Sequence, residues 1–522
     1  YRLYSSLPRQ EKRMIDEGKK TKLMRSKWAM FFSGLGILLL LAFIYQMKEL
    51  LVFAETTDKL DIQLIGEAIA LFQQNKDTCL AEIYREHEWL EYTINGLRDH
   101  SDGDLDNALA SYNAALELNP NLAEILTVSG LIWSAKGDLD KALLVYGAAL
   151  ILNPNDCETL IKRGFIWQAK GDLDKALLDY DAALILNPND NKTLISRGLV
   201  LLAKGDLDKA LLDYNAVLAV NPNDNDALSD RGFVWLAKGN LDKALSDFDV
   251  VLSLNPKNDQ AFTDRGLAWQ AKGDLDKALL DYDEALKLNP KNNTALNKRG
   301  LVWQVKGNLD KALSDYNAAL AINPKDDSAF YSRGNVWRDK GDLNKALLDY
   351  DKSLKFNPKN YKALANRGFV WQIKGNLGKA LLDYDEFLKF NPKHDVTLNN
   401  RGLVWRAKGN LEKALSDYNS ALAINPKNGE AFYNRGQVWR DKGNLDKALS
   451  DFGAALALDP KYDLALGNRG LVWRAKGNLD KALSDFDAAL ALNPKYDKTL
   501  TNRGLVLYEK GNLEKALSDY NS

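Results

Sequence analysis

The 522-residue sequence has few of the residues from which catalytic and metal sites are usually built. It contains two cysteines, Cys79 and Cys157, which are too few for a disulfide framework and do not have zinc-ligand spacing. The three histidines, His87, His100 and His394, are scattered along the chain. Sequence motifs for phosphate binding or for an activated nucleophile are also absent. The sequence therefore predicts that this chain is not an enzyme and has no cofactor and no metal site.

An excess of charge of one sign is also lacking, because 70 Lys and Arg stand against 71 Asp and Glu and the net charge is −1. The basic residues are unevenly placed, since residues 1–27 carry nine Lys or Arg and three acidic residues. A phosphate-binding surface would need a basic excess in the rest of the chain. We therefore expect no nucleic acid among the partners, and we interpret residues 1–27 as a basic N-terminal tail.

One long uncharged run interrupts this polar sequence, the twenty residues from Trp28 to Met47. As a helix it would span roughly 30 Å, the thickness of the hydrocarbon core of a bilayer. The run predicts a transmembrane helix at residues 28–47 and a single-pass membrane protein. By the positive-inside rule the basic tail stays on the cytoplasmic side. The rest of the chain then faces the periplasm, a lumen, an intermembrane space or the exterior. A cleaved signal peptide and a buried helix are the alternatives.

Residues 48–88 follow this run and carry a helical apolar stripe that includes Leu60, Leu64, Ala68 and Leu71. Solenoids need a cap over the open end of the first repeat. We therefore interpret residues 48–88 as a helical linker that serves as an N-terminal cap.

Most glycines and all prolines in the remainder of the chain follow a strict pattern. Thirteen glycines recur every 34 residues from Gly103 to Gly511, and every proline except Pro8 follows the same helical phrase once per repeat. A fixed period of this length indicates a stack of identical supersecondary units. The sequence therefore predicts an all-α solenoid.

Residues 157–190 illustrate the unit. Lys170 and Gly171 form a helix-stop signal and Asp172 can cap the next helix, so two helices are predicted on either side. A glycine recurs inside the first helix, as at Gly164. Because glycine costs roughly 1 kcal/mol against alanine in a helix, its recurrence predicts a close approach of the two helices.

The unit resembles the tetratricopeptide repeat, whose pattern of small, aromatic and proline positions is carried here by Gly164, Trp167, Ala176, Tyr180 and Pro188. The match covers residues 89–522, as twelve full repeats and a truncated thirteenth. The resemblance implies a right-handed superhelix of antiparallel helix pairs, with a groove along the first helices that binds peptides or protein segments. Tryptophan replaces the tyrosine that is common in the family at the position of Trp167, and we interpret it as core packing.

An arginine precedes the glycine of the first helix in eleven repeats, and an aspartate precedes the aromatic residue of the second helix in the same eleven. Examples are Arg163 with Asp179 and Arg197 with Asp213. Their joint presence predicts a structural ladder of ion pairs, within a repeat or across a junction. The alternative is a row of arginines that grips an acidic polymer.

The first-helix positions that vary among repeats drift from apolar toward basic along the chain. They predict a partner-binding surface for an acidic or aromatic-bearing segment, and the alternative is that they are solvated surface residues. The candidate residues are Tyr331, Arg338, Arg406, Tyr433, Arg440 and Arg474.

The anchor, the repeats and the absence of catalytic groupings favour a membrane-anchored scaffold. Such a scaffold would bind protein or peptide segments and assemble or stabilise a membrane-associated complex. Two alternatives stay open. One is self-association of the repeats into a filament or surface layer, and the other is that the repeats form the non-catalytic part of a larger enzyme.

Overall fold

The computed structural model of the protein describes residues 88–521, which are built from 26 α-helices and contain no strand. The predicted tail at 1–27, the predicted transmembrane helix at 28–47 and all of the predicted linker except its last residue lie outside the described residues. Among residues 88–521, none of the helices combines the length and the apolar character that a membrane span requires.

The helices fall into two units, of which the first ends at Asn240 and the second begins at Leu241. The helices of the first unit are α1 (Glu88–Ser101), α2 (Leu105–Leu118), α3 (Ala123–Ala135), α4 (Leu139–Leu152), α5 (Cys157–Ala169), α6 (Leu173–Leu186), α7 (Asn191–Lys204), α8 (Leu207–Val220) and α9 (Asn225–Ala237).

The second unit contains the remaining helices. These are α10 (Leu241–Leu254), α11 (Asp259–Lys272), α12 (Leu275–Leu288), α13 (Asn293–Val305), α14 (Leu309–Ile322), α15 (Asp327–Asp339), α16 (Leu343–Phe356), α17 (Tyr361–Ile373), α18 (Leu377–Phe390), α19 (Asp395–Ala407), α20 (Leu411–Ile424), α21 (Gly429–Asp441), α22 (Leu445–Leu458), α23 (Asp463–Ala475), α24 (Leu479–Leu492), α25 (Asp497–Glu509) and α26 (Leu513–Asn521). Odd-numbered helices are the first helices of the repeats, and even-numbered helices are the second helices.

The turn between the two helices of a repeat has the predicted chemistry. Helix α5 ends at Ala169, and Gly171 adopts a left-handed conformation with φ of 80°, which glycine tolerates without steric cost. The side chain of Asp172 then accepts a hydrogen bond from the backbone N–H of Lys175 and caps α6. Helix α6 ends before Asn187, whose backbone is no longer helical, and Pro188 follows. The predicted helix boundaries are therefore confirmed.

The glycine inside each first helix faces the aromatic ring of the second helix. A Cβ atom built on Gly164 would lie 2.7 Å from Cε1 of Tyr180, which is fully buried. The predicted close approach of the two helices is therefore confirmed, and the side chain that Gly164 approaches is the ring of Tyr180.

Tryptophan completes the core at the junction between the helices of a repeat. Trp167 packs against the buried cluster formed by Ala176, Tyr180 and Val200. Lys175 covers the outer side of its ring, with Nζ 4.1 Å from the ring centroid. The tryptophan is therefore part of the core packing, as predicted.

Candidate binding surface on the first helices

Successive first helices of the second unit contact one another, so their side chains form one continuous surface from α11 to α25. We call this surface the first-helix face. The side chains that link neighbouring helices on it are about one repeat apart in sequence, and most of them are polar.

The arginine ladder joins the first helix to the second helix in the repeats that carry it. Nε and Nη2 of Arg197 donate to the two carboxylate oxygens of Asp213 at 2.9 and 2.6 Å. The Asp213 side chain is 5% exposed, and the geometry is the bidentate one that makes such pairs strong. The hydrogen bonds to Asp213 and Asp181 raise the pKa of Arg197. Arg163 makes the same bidentate contact with Asp179.

The third guanidinium nitrogen reaches the preceding repeat. Nη1 of Arg197 donates to Asp181 on the previous second helix at 2.7 Å. Equivalent bonds are made to an aspartate or asparagine at the same position by Arg231, Arg265, Arg299, Arg333, Arg367, Arg401, Arg435 and Arg503. The position is occupied by Gly147 before Arg163 and by Gly453 before Arg469, so no side-chain acceptor exists there. The ladder thus bonds within repeats and across junctions.

Tyr331 begins the first of two similar polar clusters on the first-helix face. The amide nitrogen of Asn366, on the next first helix, donates to the Tyr331 hydroxyl at 3.3 Å and to Oδ1 of Asn335 at 2.8 Å. Tyr350 donates to the same Asn335 oxygen at 2.7 Å. The tyrosine is half-buried, so its ring and hydroxyl form part of the accessible surface.

Tyr433 occupies the equivalent place three repeats later. The amide nitrogen of Asn468 donates to the Tyr433 hydroxyl at 3.1 Å, and Arg440 donates to Oδ1 of Asn468. The ring of Tyr433 lies against that of Tyr462, with centroids 4.9 Å apart. The same tyrosine–asparagine pair therefore recurs at an offset of three repeats.

The arginines predicted to form a basic groove have carboxylate partners. Arg338 donates twice to Asp339, at 3.0 and 2.8 Å. Arg406 donates to Asp441 of the next repeat at 2.7 Å, and Arg440 bonds the same carboxylate. Arg474 donates to Glu509 of the next repeat at 3.0 and 2.5 Å.

The arginines that contact Asp441 and Glu509 lower the pKa of these two carboxyl groups. Partial burial acts to raise the pKa of Asp441, but hydrogen bonds from Arg406 and Arg440 hold it below its ordinary value. The hydrogen bond from Arg474 lowers the pKa of Glu509. This part of the first-helix face is therefore a row of compensated charges, whereas the drift toward basic residues in the sequence predicted a surface for an acidic or aromatic-bearing segment.

Five asparagines on this face were not among the predicted residues. They occupy one position of five successive first helices, and four of them are half-buried. Asn434 is buried and donates to Asn399 at 3.0 Å. Each carries a donor and an acceptor, which suits it to bond either a neighbour or a ligand. The five are Asn366, Asn400, Asn434, Asn468 and Asn502.

The same position in the first unit is held by Asp230, on α9. Burial raises its pKa to about 7, and the negative charges of Asp226 and Asp224 add to this shift. Asp230 is thus largely protonated at a pH at which exposed aspartates are ionised.

The family assignment follows from the repeat itself. The tetratricopeptide repeat model matches residues 101–156, 195–259, 263–327, 306–361, 433–497 and 468–522, which together make up more than half of the chain. The chain belongs to the tetratricopeptide repeat family. Two further models described as TPR repeat and tetratricopeptide repeat match residues 402–439 and 157–190. A scaffold of tetratricopeptide repeats is suited to interactions between proteins.

Several solved tetratricopeptide repeat structures are similar to the chain. A protein from Parabacteroides merdae ATCC 43184 is 23% identical, with a TM-score of 0.43, and the match covers 48% of this chain and 98% of that one. A chain of the APC/C hetero-tetramer Cut9-Hcn1 is 14% identical, with a TM-score of 0.45, and the match covers 88% of this chain and 99% of that one. YrrB, described as a TPR protein with an unusual peptide-binding site, is 26% identical, with a TM-score of 0.31. The match covers 35% of this chain and 95% of YrrB. No curated protein matches the chain.

Proposed function

We propose that the protein is a membrane-anchored scaffold that holds an extended segment of a partner protein along the first helices of its second unit. It would thereby assemble or stabilise a complex beside the membrane. The observation that carries this proposal is the recurrence of the tyrosine–asparagine pair at Tyr331 with Asn366 and at Tyr433 with Asn468.

The spacing of the asparagines supports an extended ligand. One side-chain amide stands on each of five successive first helices, and a peptide backbone offers a matching donor and acceptor at every residue. A neutral amide has two N–H donors and two acceptor lone pairs, so it can bond a ligand as well as a neighbour without displacing a charged partner. Backbone recognition of this kind does not depend on the ligand sequence. Specificity would come from the tyrosines, which supply large and rigid contact area at low entropic cost.

The partner segment is proposed to be without excess negative charge. An acidic segment, as the sequence predicted, would have to displace Asp441 and Glu509 from arginines that already donate to them. Displacing a hydrogen-bonded carboxylate offsets most of what the new ion pair contributes. Uncharged polar side chains and aromatic rings fit the face better.

Anchoring rests on the sequence of residues 28–47, and no catalysis by this chain is proposed. The basic tail places the repeats on the side of the membrane opposite the cytoplasm. Digestion of sealed membranes with protease tests this topology. The repeats should survive when protease is added from the cytoplasmic side, and digestion from that side alone contradicts the proposed orientation.

Peptide binding is tested with a displayed library of random linear peptides and the full chain. Enriched peptides should bind the unaltered chain and the control variant Lys389→Ala, which lies on an exposed second-helix position. They should lose at least tenfold in affinity for a chain carrying Asn400→Ala and Asn468→Ala. Equal affinity for all three chains, at unchanged helical content, contradicts the proposal.

A further inference from the structure

The second helices of the first unit expose large aliphatic side chains on the side that faces away from the core. Leu144 and Ile151 are 74% and 81% exposed on α4, and Leu178 and Ile185 are 69% and 81% exposed on α6. Leu212 on α8 continues the row at 69%. We call these five residues the outer patch. Equivalent positions of stacked repeats lie on the same side of a solenoid, so they form one surface.

The combination of residues that forms the outer patch is not shared by all repeats. The position of Ile151 is held elsewhere by charged residues such as Lys355 and Lys389, or by small residues such as Ala423. The position of Leu144 is a serine in six other repeats and a leucine in five, and Leu280, Leu348 and Leu382 of the second unit are exposed as well. Large aliphatic residues occupy both positions only in the repeats of α4 and α6. An apolar surface built in this way on a monomer usually marks an interaction site.

The charged groups around the outer patch already have counter-ions in the chain. Asp140 pairs with Lys170 at 2.6 Å, and Asp208 pairs with Lys238 at 2.7 Å. Asp181, between Leu178 and Ile185 on α6, is bonded by Arg197. The outer patch therefore presents apolar side chains bordered by ion pairs that carry no net charge. Such a surface favours a partner whose own surface is apolar.

We infer that the outer patch is the contact surface for a second copy of this chain. In a twofold interface each surface meets itself, so it must be self-complementary, and an apolar row with paired charges meets that condition. A surface pocket of about 390 Å³ beside Ile185 offers room for an aliphatic side chain of the other copy; its apolar walls are Leu184, Pro188 and Leu194, and the ion pair of Asp181 with Arg197 completes its lining.

The expected dimer is weak. Burying five Leu or Ile side chains removes on the order of 400 Å² of apolar area per copy, about half of the roughly 800 Å² that a stable interface uses on each side. Association in a membrane raises the local concentration and would favour it. This inference uses the second helices of the first unit and is independent of peptide binding in the second.

The test is photo-crosslinking of the full chain, expressed in two differently tagged forms, with benzoylphenylalanine in place of Leu178. Irradiation should give a product of twice the chain mass that carries both tags. The variant I151K/I185K should lower its yield at least tenfold. Both isoleucines are exposed and lysine already occupies their position in other repeats, so folding should be unaffected, as helical content will verify.

The same probe at Ser484, the equivalent exposed position in the second unit, is the control and should give no dimer. The inference is overturned by a crosslink within one chain, by a crosslink only to another protein, or by no crosslink at all. A dimer yield that the two lysines leave unchanged overturns it as well.

Discussion

Arg197 is bonded to aspartates of two different repeats, to Asp213 through two nitrogens and to Asp181 through the third. The first contact fixes the two helices of one repeat, and the second fixes the junction with the repeat before it. Because the arrangement recurs along the chain, it sets the register of neighbouring repeats. We therefore interpret the ladder as structural, since the guanidinium groups of Arg163, Arg197 and Arg469 each already donate twice to a buried carboxylate of their own repeat.

The two halves of this contact should differ in strength. Asp213→Ala leaves a guanidinium without its buried partner and should lower the free energy of unfolding by about 3 kcal/mol. Asp181→Ala removes a carboxylate that is 55% exposed and should cost less than about 1 kcal/mol. Urea unfolding followed by circular dichroism measures both. Equal losses for the two variants would contradict the structural role of the buried half.

Arg469 lacks the hydrogen bond to the preceding repeat that Arg197 makes to Asp181, and a single substitution can introduce an acceptor for it. Gly453 stands where other repeats have the second acceptor, and a Cβ there meets nothing within 4 Å. Gly453→Asp should stabilise the chain by roughly 1 kcal/mol, partly through helix propensity and partly through Arg469. The matched variant Gly453→Ala gains from propensity alone. The gain of the aspartate variant should shrink in 1 M salt and that of the alanine variant should not, and identical salt responses would refute the contact.

Substitution of alanine for two helical glycines, Gly164 and Gly147, should change the stability of the chain in opposite directions. Gly164→Ala places a methyl group 2.7 Å from the ring of Tyr180 and should destabilise by roughly 1–3 kcal/mol. Gly147→Ala, where nothing lies within 4 Å, should stabilise by about 0.5–1 kcal/mol. Thermal unfolding of the two variants distinguishes them. Stabilisation by both changes would show that the close approach to Tyr180 is not a constraint.

Asp230 should make stability depend on pH. Its pKa is raised from 3.8 to about 7 in the folded chain. Between about pH 4 and pH 7 the folded chain therefore holds a proton that the unfolded chain has lost, so stability falls as pH rises through this window. Asp230→Asn removes this loss and should be more stable than the unaltered chain by roughly 1–2 kcal/mol at pH 8, with little difference at pH 4. A difference that does not change with pH would contradict the raised pKa.

The sequence was sufficient for the elements that the repeat determines. Gly171 and Asp172 predicted a helix boundary because their chemistry acts locally, and comparison of repeats indicated that Arg197 and Asp213 belong together. The partners of the groove arginines were harder to find. Asp441 and Glu509 lie 35 residues after Arg406 and Arg474, and this separation has no meaning until first helices are stacked side by side.

A signal for those partners was nevertheless present. The position of Asp441 is alanine in most repeats, and its three acidic residues, Asp339, Asp441 and Glu509, each follow an arginine or glutamine by 35 residues. The signal is partial, because five other arginines and glutamines at that spacing are followed by an apolar residue. The outer patch was missed for a different reason. Ile151 and Ile185 fit a helical apolar pattern, and only the packing shows that they face away from the core.

The most direct test of the central claim is the mass and composition of the native complex, extracted in mild detergent with residues 28–47 intact. We expect a foreign protein at a fixed ratio to this chain, retained by Lys389→Ala and lost from the chain that carries Asn400→Ala and Asn468→Ala. A preparation that contains this chain alone, or a foreign protein that both variants retain equally, would contradict the claim that the first-helix face holds the partner.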